Sequence, residues 1–463
     1  MSFAIVALAL ALLMFVAYRG FSVVLFAPIC ALLAVLLTDP ALVAPVFNGV
    51  FMDKMVGFIK NYLPVFLLGA VFGKVIELSG FARSIVSAVI SLVGRERSIL
   101  SIVLVCALLT YGGVSLFVVV FAVYPFAAEM FRQAGIPKRL IPGTIALGAF
   151  TFTMDALPGT PQIQNIIPTT FFKTDTWAAP WSGIIGAVFI LAAGLAYLEW
   201  RRRRAAAKGE GYGTKLVNEP EPFREEKLPS PWLALAPLLI VGVMNKVFTL
   251  LIPRFYGATH SATLPGLAKP VVTQVSSVAA IWAVEGALLL GILMVVVCAF
   301  GPLKERFADG SKAAIGGALL AATNTASEYG FGAVIAALPG FLMVAAAMKA
   351  IPGVLVNEAV TVTALAGITG SASGGMSIAL ATMADSFISA ANAAGVPLEL
   401  MHRIAAMASG GMDTLPHNGA VITLLSVTGL THQQSYRDIF AITLLKTAAV
   451  AVAIGVFYLT GIY

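Results

Sequence analysis

Two copies of one short motif carry the chemistry this chain offers. Residues 153–160 read "TMDALPGT" and residues 411–418 read "GMDTLPHN", so Met-Asp-x-Leu-Pro occurs twice, 258 residues apart, each time in an apolar neighbourhood. Proline lacks an amide hydrogen and clashes with the preceding turn, so Leu-Pro at 157–158 and 415–416 predicts the end of a helix. Such a break frees backbone amides and carbonyls. After the first, Thr160-Pro161 fits an N-cap with proline at the first helical position, and "QIQNIIPTTFF" continues as a helix carrying Gln162 and Asn165 in its first turn. After the second, Asn418 fits the cap of "GAVITLLSV". Both new helices aim their positive ends and free amides at the break, which suits an anion such as a carboxylate.

Asp155 and Asp413 sit in the middle of these motifs. A buried carboxylate there can carry a proton, or ligate Na⁺ together with neighbouring carbonyls. It can also simply accept hydrogen bonds from the freed amides of its own break. His417 has no counterpart in the first copy, where Gly159 takes its place. A histidine there suits substrate binding or titration near neutrality. Upstream, "YGGVSLF" (111–117) and "SGGMSIA" (373–379) place Gly112, Gly113 and Ser115, and Ser373, Gly374, Gly375 and Ser377, as hairpin tips where backbone and hydroxyls can approach a ligand. Close helix packing by small residues is the alternative. "NTASEYGFG" (324–332) groups Asn324, Thr325 and Glu328 as a polar set able to line a pathway or coordinate a cation. Glu285, Glu358 and Asp385 are weaker candidates, and Lys74 and Glu77, three apart on one helix face, are expected to pair with each other.

The elements that position these residues must lie in a membrane. Of 463 residues 59% are hydrophobic and 11% charged, against roughly 25% charged in soluble domains. With about 20 apolar residues per span, the apolar runs predict ten to twelve crossings plus shorter broken segments. The N-terminal "MSFAIVALALALLMFVAY" lacks a basic leader and is followed at once by a second apolar run, so it reads as two retained spans rather than a signal peptide. Cys30, Cys106 and Cys298 lie in apolar runs without metal-ligand spacing, so no cofactor or metal is expected. The net charge of +7 comes from basic residues at span ends, which excludes nucleic-acid binding as its meaning. Residues 201–231, opening with Arg201–Arg204, form the only long polar connection and read as a cytoplasmic linker; this places both termini outside.

Three markers recur in one order in the two halves: Gly-Gly-x-Ser, Ala-Gly-(Ile/Val)-Pro at 134–137 and 394–397, and Met-Asp-x-Leu-Pro. They predict a duplication, with repeats at 1–200 and 231–463 on either side of the 201–230 linker. In the first half "GRERS" (94–98) and Arg132, Lys138 and Arg139 fall on one side, so residues 98–131 must enter and return. An inverted second copy would enter from the other side, and two breaks related in that way would form one midplane anion site.

With its broken helices, its basic linker and the stretches "FGKVIELSGFAR" (72–83) and "ATNTASEYGFGAVIAALPGF" (322–341), the chain resembles the gluconate permease (GntP) family of the ion transporter superfamily. The resemblance implies an all-α polytopic protein of two inverted repeats with re-entrant hairpins, embedded in the bacterial inner membrane as a homodimer working by an elevator-type movement. It implies H⁺-coupled import of a small organic acid, with Na⁺ as the alternative coupling ion. Gluconate carriers tend to carry His-Pro-Gly-Pro at the first break, whereas "MDALPGTPQIQN" stands here. That departure favours a short hydroxy or keto monocarboxylate such as 3-hydroxybutyrate. An anion channel is the rival of a different class, though no pore-lining charge rings are evident. Nor is there an HExxH motif for a membrane metalloprotease. A major facilitator carrier would have parallel halves.

Overall fold

The structure, a computed structural model, describes residues 2–19, 21–214, 216–220, 228–341, 343, 351–416 and 418–463. It is helical almost throughout. Helices α1 (Ser2–Tyr18), α2 (Val23–Thr38), α3 (Pro40–Leu78) and α4 (Phe81–Val93) lead into a hairpin of α5 (Ser98–Tyr111) and α6 (Leu116–Gln133). Then come α7 (Ile141–Ala149), the single turn α8 (Phe152–Asp155), α9 (Ile163–Phe172) and the long α10 (Pro180–Ala207). After the linker, α11 (Pro231–Tyr256), α12 (Val275–Cys298), α13 (Phe300–Lys304) and α14 (Phe307–Ala337) precede a second hairpin, α15 (Val354–Thr369) and α16 (Ala372–Ala394). The chain closes with α17 (Leu398–Ser409), α18 (Gly419–Thr428) and α19 (His432–Thr460).

Among the described residues, six helices are long and apolar enough to cross a bilayer: α3, α6, α10, α11, α12 and α19. Much of the remaining apolar sequence, which had predicted ten to twelve crossings, is held in helices of 10–17 residues such as α5, α15 and α18. These are too short to span about 30 Å of hydrocarbon at 1.5 Å per residue. Of these, α5 and α15 are hairpin arms and α18 follows a helix break. Large apolar side chains such as Leu8, Phe15, Trp181, Leu239, Leu293 and Leu444 stay exposed on the outer helix faces, as a lipid-facing surface requires.

Linker residues 201–231 are not the only polar connection: the segment between α11 and α12 folds as a two-stranded antiparallel hairpin, β1 (Thr259–Ala262) and β2 (Val271–Gln274), the one departure from an all-α architecture among the described residues. The linker itself begins as helix, because α10 continues through Arg201–Arg204 to Ala207. Its next stretch docks on the end of the first hairpin. Glu219 pairs with Arg132 and, at 2.6 Å, with Lys138, whose ammonium also donates to Val217 O. The Arg139 guanidinium pairs with Glu210 and holds that carboxyl below the usual carboxylate range. Arg201 and Arg139 both reach Asp438 of α19, so of the basic residues expected on one side, Arg132, Lys138, Arg139 and Arg201 lie at one end of the molecule. Lys74 and Glu77 pair at 2.9 Å, as their spacing implied.

Candidate functional site

The two Met-Asp-x-Leu-Pro segments meet in space. Helix α7 ends at Ala149 and α17 at Ser409, so each helix stops several residues before its Leu-Pro rather than at it. Gly410, the first residue after α17, faces Asp155, and a methyl group there would overlap Asp155 Oδ2. Lys446 of α19 completes the junction: its Nζ donates to Phe150 O, in the gap between α7 and α8, at 3.0 Å and to Asp413 Oδ1 at 2.6 Å. Asp155 lies within electrostatic reach of Lys446, Asp413 and Arg403. Two carboxylates and two cations are thus collected in one place, each no more than 5% exposed.

Arg403 of α17 holds the first break together from the other half of the chain. It is fully buried and makes five hydrogen bonds: to Ala178 O from Nε (3.1 Å) and Nη2 (2.9 Å), to Thr176 O (3.3 Å), to Asp155 O (3.2 Å) and to Asn165 Oδ1 (2.8 Å). Every donor direction of the guanidinium fork is used, once on the Asp155 carbonyl inside the break and three times on the Thr176 and Ala178 carbonyls of the loop between α9 and α10. Asn165 is equally engaged, donating to Thr160 O and Thr176 O while His402 Nε2 lies 3.2 Å from its Oδ1. His402 in turn contacts Thr174 Oγ1 at 2.6 Å. Asn165, a predicted ligand residue, is therefore spent on architecture. So is Thr160: its hydroxyl donates to Thr153 O, and α9 starts at Ile163 with Gln162 rather than Thr160 at the N-cap position. The first break is wider than Thr160-Pro161 suggested because the buried side chains Arg403 and Asn165 satisfy its carbonyls.

In each half a side-chain amide ties the break to its hairpin. Gln162 Nε2 donates to Thr110 O at 2.8 Å, beside the tip of the α5–α6 hairpin. Asn418 Nδ2 donates to Gly370 O at 2.7 Å, at the tip of the α15–α16 hairpin, while Asn418 Oδ1 caps α18 by accepting from Val421 N. The cap expected of Asn418 is present. Gly159 has φ of +78° and lies against the Trp177 ring, so a side chain there would collide. This is a local reason why the first copy carries glycine where the second carries His417, a residue outside those described.

The first Gly-Gly-x-Ser is a hairpin tip, but a closed one. Gly113 has φ of +96°, a Cβ on it would meet Pro161 Cγ at 3.2 Å, and Leu238 of α11 packs onto Gly112; Ser115 opens α6. The second Gly-Gly-x-Ser is not a tip. Gly374, Gly375 and Ser377 lie within α16, and the turn is made earlier by Gly370, with φ of +66°, and Ser371, whose hydroxyl accepts from Gly374 N. Gly370 follows Gly112 by the same 258 residues that separate the aspartates. Gly375 serves close packing, for a Cβ there would overlap the Ala366 backbone. Gly374 serves a different contact: it faces the carboxylate of Glu328 on α14. Beside it Thr325 Oγ1 and Ser373 Oγ are 3.2 Å apart. Glu328 Oε2, Asn324 Oδ1 and Ser377 Oγ are buried without a hydrogen-bond partner. The predicted set Asn324, Thr325 and Glu328 is thereby brought to the second hairpin tip.

No motif marks Arg403, Lys446, His402 or Asn245, a fully buried α11 residue that donates to Gly159 O at 3.0 Å. The available signal was an ionisable group inside an apolar run, "LELMHRIAAMAS" for Arg403 and "FAITLLKTAAVA" for Lys446, the same criterion that singles out Glu328. Because Gly410 is where the two breaks touch, Gly410→Ala is expected to cost about 1–3 kcal/mol by overpacking, read as thermal stability in detergent, while Gly419→Ala, which meets open space, leaves stability unchanged.

A family model described as GntP family permease matches residues 1–287. Over 471 aligned residues, covering all of both chains, the sequence is 60% identical to a Bacillus subtilis (strain 168) protein named "Uncharacterized transporter YxjC". Among solved structures, the YdaH transporter of Alcanivorax borkumensis is similar with a TM-score of 0.56 at 14% identity, covering 89% of this chain and 88% of that one. Neisseria gonorrhoeae MtrF, described as one of a class of antimetabolite efflux pumps, is similar with a TM-score of 0.54 at 13% identity over 88% and 83% of the two chains.

Proposed function

The chain belongs to the GntP family of permeases, and from that premise we propose that this secondary transporter imports a small organic acid anion together with H⁺, a short hydroxy monocarboxylate of the 3-hydroxybutyrate kind being the preferred substrate. One observation carries the reading: the two helix breaks converge on the buried ammonium of Lys446. An ammonium has three donors, of which Phe150 O and Asp413 take two; the third supports a substrate carboxylate. Arg403 is a poor candidate for that task because its donors are already committed. The positive ends of α9 and α18 add to the same attraction.

Charge counting supports the proton. Asp155, Asp413, Arg403 and Lys446 sum to zero, so a monoanion brings one uncompensated negative charge into a dry site, and one H⁺ removes it. Carried with one H⁺ the monoanion is electroneutral; a second proton would let the membrane potential add about 2.3 kcal/mol per charge per 100 mV. Two inverted repeats, 1–200 and 231–463, are supported by the matching order of hairpin, broken helix and long helix in the two halves. They are supported also by opposite anchoring: the start of α7 lies by Ser435 and Asp438, on the face that carries the linker, whereas His402, near the start of α17, lies by Thr174. In this reading the hairpins and broken helices travel as one body against a frame that includes α3, α11, α12 and α14, in a homodimer of the bacterial inner membrane.

Purified protein in proteoliposomes tests the reading directly. An inward H⁺ gradient without Na⁺ is expected to drive accumulation of labelled 3-hydroxybutyrate, with short hydroxy and keto acids competing better than gluconate. Accumulation that needs Na⁺ and ignores the H⁺ gradient would reverse the coupling assignment, and uncoupled flux down the gradient would point to a channel.

A further inference from the structure

The second hairpin tip holds a titratable group that the Lys446 junction does not use. Glu328 lies midway along α14 and is 3% exposed; its Oε2 has no partner, and its carboxylate makes no ion pair among the described residues. The contacts along α14 and α16 run in the same direction: Thr325 meets Ser373, Glu328 meets Gly374, and Gly332 meets Ile378. Asn324 and Ser377, one turn away on the facing surfaces, contribute the other two orphaned polar atoms. Three unpaired polar atoms in one helix interface are unusual, since nearly all buried polar groups in folded proteins are paired.

We propose that Glu328 is the proton-binding residue of this carrier and acts as a latch: the tip of the α15–α16 hairpin closes on α14 only when the Glu328 carboxyl carries a proton. The inference rests on the H⁺-coupled reading above and assigns the coupling to a residue outside the Lys446 junction. A charged carboxylate without a partner is too costly to bury against a glycine backbone, so deprotonation forces the tip to part and admit water. The protonated acid is neutral, so the cost of burying its charge is removed. Close packing favours a proton over a metal cation. A methyl on Gly374 would overlap Glu328 Oε2, and a Cβ on Gly332 would lie 3.0 Å from Ile378 Cα, leaving no volume for an ion with several oxygen ligands.

The surroundings are consistent with a lone titrating group. Helices α2, α3 and α16 pack on α14. Of their titratable side chains, Cys30 of α2, Asp53, Lys54, Lys60, Tyr62, Lys74 and Glu77 of α3 and Asp385 of α16, none is a hydrogen-bond or ion-pair partner of Glu328. Ser327, next in the chain, turns instead to Met55 Sδ at 3.8 Å. Glu358, also buried with both oxygens unpaired, sits twelve residues before Gly370 and so roughly 18 Å down α15 from the tip.

The first measurement needs no substrate. In a Cys298→Ser background, Ser373→Cys reports opening of the tip by its rate of thiol labelling, corrected for thiol ionisation by the labelling of exposed Cys298 in the wild-type protein; Cys30 and Cys106 are buried. In Na⁺-free proteoliposomes the corrected rate is expected to rise with pH by up to tenfold per pH unit, the limit for one proton. It is expected to be low and flat in Glu328→Gln, which mimics the protonated state, and pH-dependent again in Glu328→Asp. A pH response that survives Glu328→Gln, that disappears in Glu358→Gln instead, or that is replaced by a response to Na⁺ would overturn the assignment. The second measurement uses labelled 3-hydroxybutyrate. Glu328→Gln is expected to keep exchange across the membrane at equal pH and to lose accumulation driven by a pH gradient; full gradient-driven accumulation would equally overturn it. Failure of the wild-type protein to carry 3-hydroxybutyrate would refute the substrate reading alone, because the labelling arm decides the latch without it.

Discussion

Lys446→Met is expected to abolish uptake and to cost roughly 3–5 kcal/mol of stability, the penalty for removing one partner of a buried ion pair. The loss has two sources that a second substitution separates. Without Lys446, Asp413 keeps a buried charge with no cation beside it, and Phe150 O loses the donor that closes the first break. In the Lys446→Met/Asp413→Asn double variant the charge imbalance is gone, so thermal stability in detergent is expected to recover by more than half. Transport is not expected to recover, since the donor offered to the substrate carboxylate is absent. Asp413→Asn alone, with Lys446 retained, should fold and bind substrate. Stability that stays low in the double variant would show that Lys446 acts mainly through Phe150 O, and uptake that returns would remove Lys446 from the substrate site.

Arg403→Met is the second large effect. Asp155 O and Ala178 O lose their donors in a dry interior, whereas Thr176 O keeps Gly159 N and Asn165 Nδ2, and Asn165 Oδ1 keeps His402. At about 1–3 kcal/mol for each buried group left unsatisfied, the two together cost about 2–6 kcal/mol, a large share of the stability of a typical domain, about 5–15 kcal/mol. The expected result is loss of the monodisperse protein by size-exclusion chromatography, not a well-folded inactive carrier. Arg403→Lys is expected to rescue little. An ammonium has three donors from one nitrogen and cannot copy a planar fork that reaches both sides of the break. A folded, active Arg403→Lys protein would mean that water can serve these carbonyls, and so that the first break is wetter than it stands here.

Much of the site was legible in the sequence because helix breaking is local chemistry. The repeated Met-Asp-x-Leu-Pro located both broken regions, though α7 and α17 end eight and six residues before Leu157 and Leu415, and Asn418 announced its cap, since a capping residue acts within a turn of its own position. The Lys74–Glu77 pair was readable for the same reason: both partners lie on one helix face. What failed to be legible was long-range. The second Gly-Gly-x-Ser looked like a hairpin tip, yet in α16 the glycines face Ala366 and Glu328, and Gly370-Ser371 turns the chain. Glycine pairs serve tight turns and close packing alike, and only the neighbouring helix decides which. Asn165 was read as a ligand for the same lack of context; its partner Arg403 comes from 238 residues away.

By itself the sequence determined that this is a polytopic membrane protein with two broken helices, each bearing a carboxylate, because composition and proline act without reference to the rest of the chain. Tertiary structure alone decided that the two breaks form one junction, that Asp413 is matched by Lys446 and that the first break is held by Arg403. It also decided that Glu328 stands apart against Gly374. The physical reason is that a charge buried in a low-dielectric interior is defined by the groups it meets, and here they lie 33 residues apart for Lys446 and the Asp413 carboxylate and 248 for Arg403 and the Asp155 backbone carbonyl.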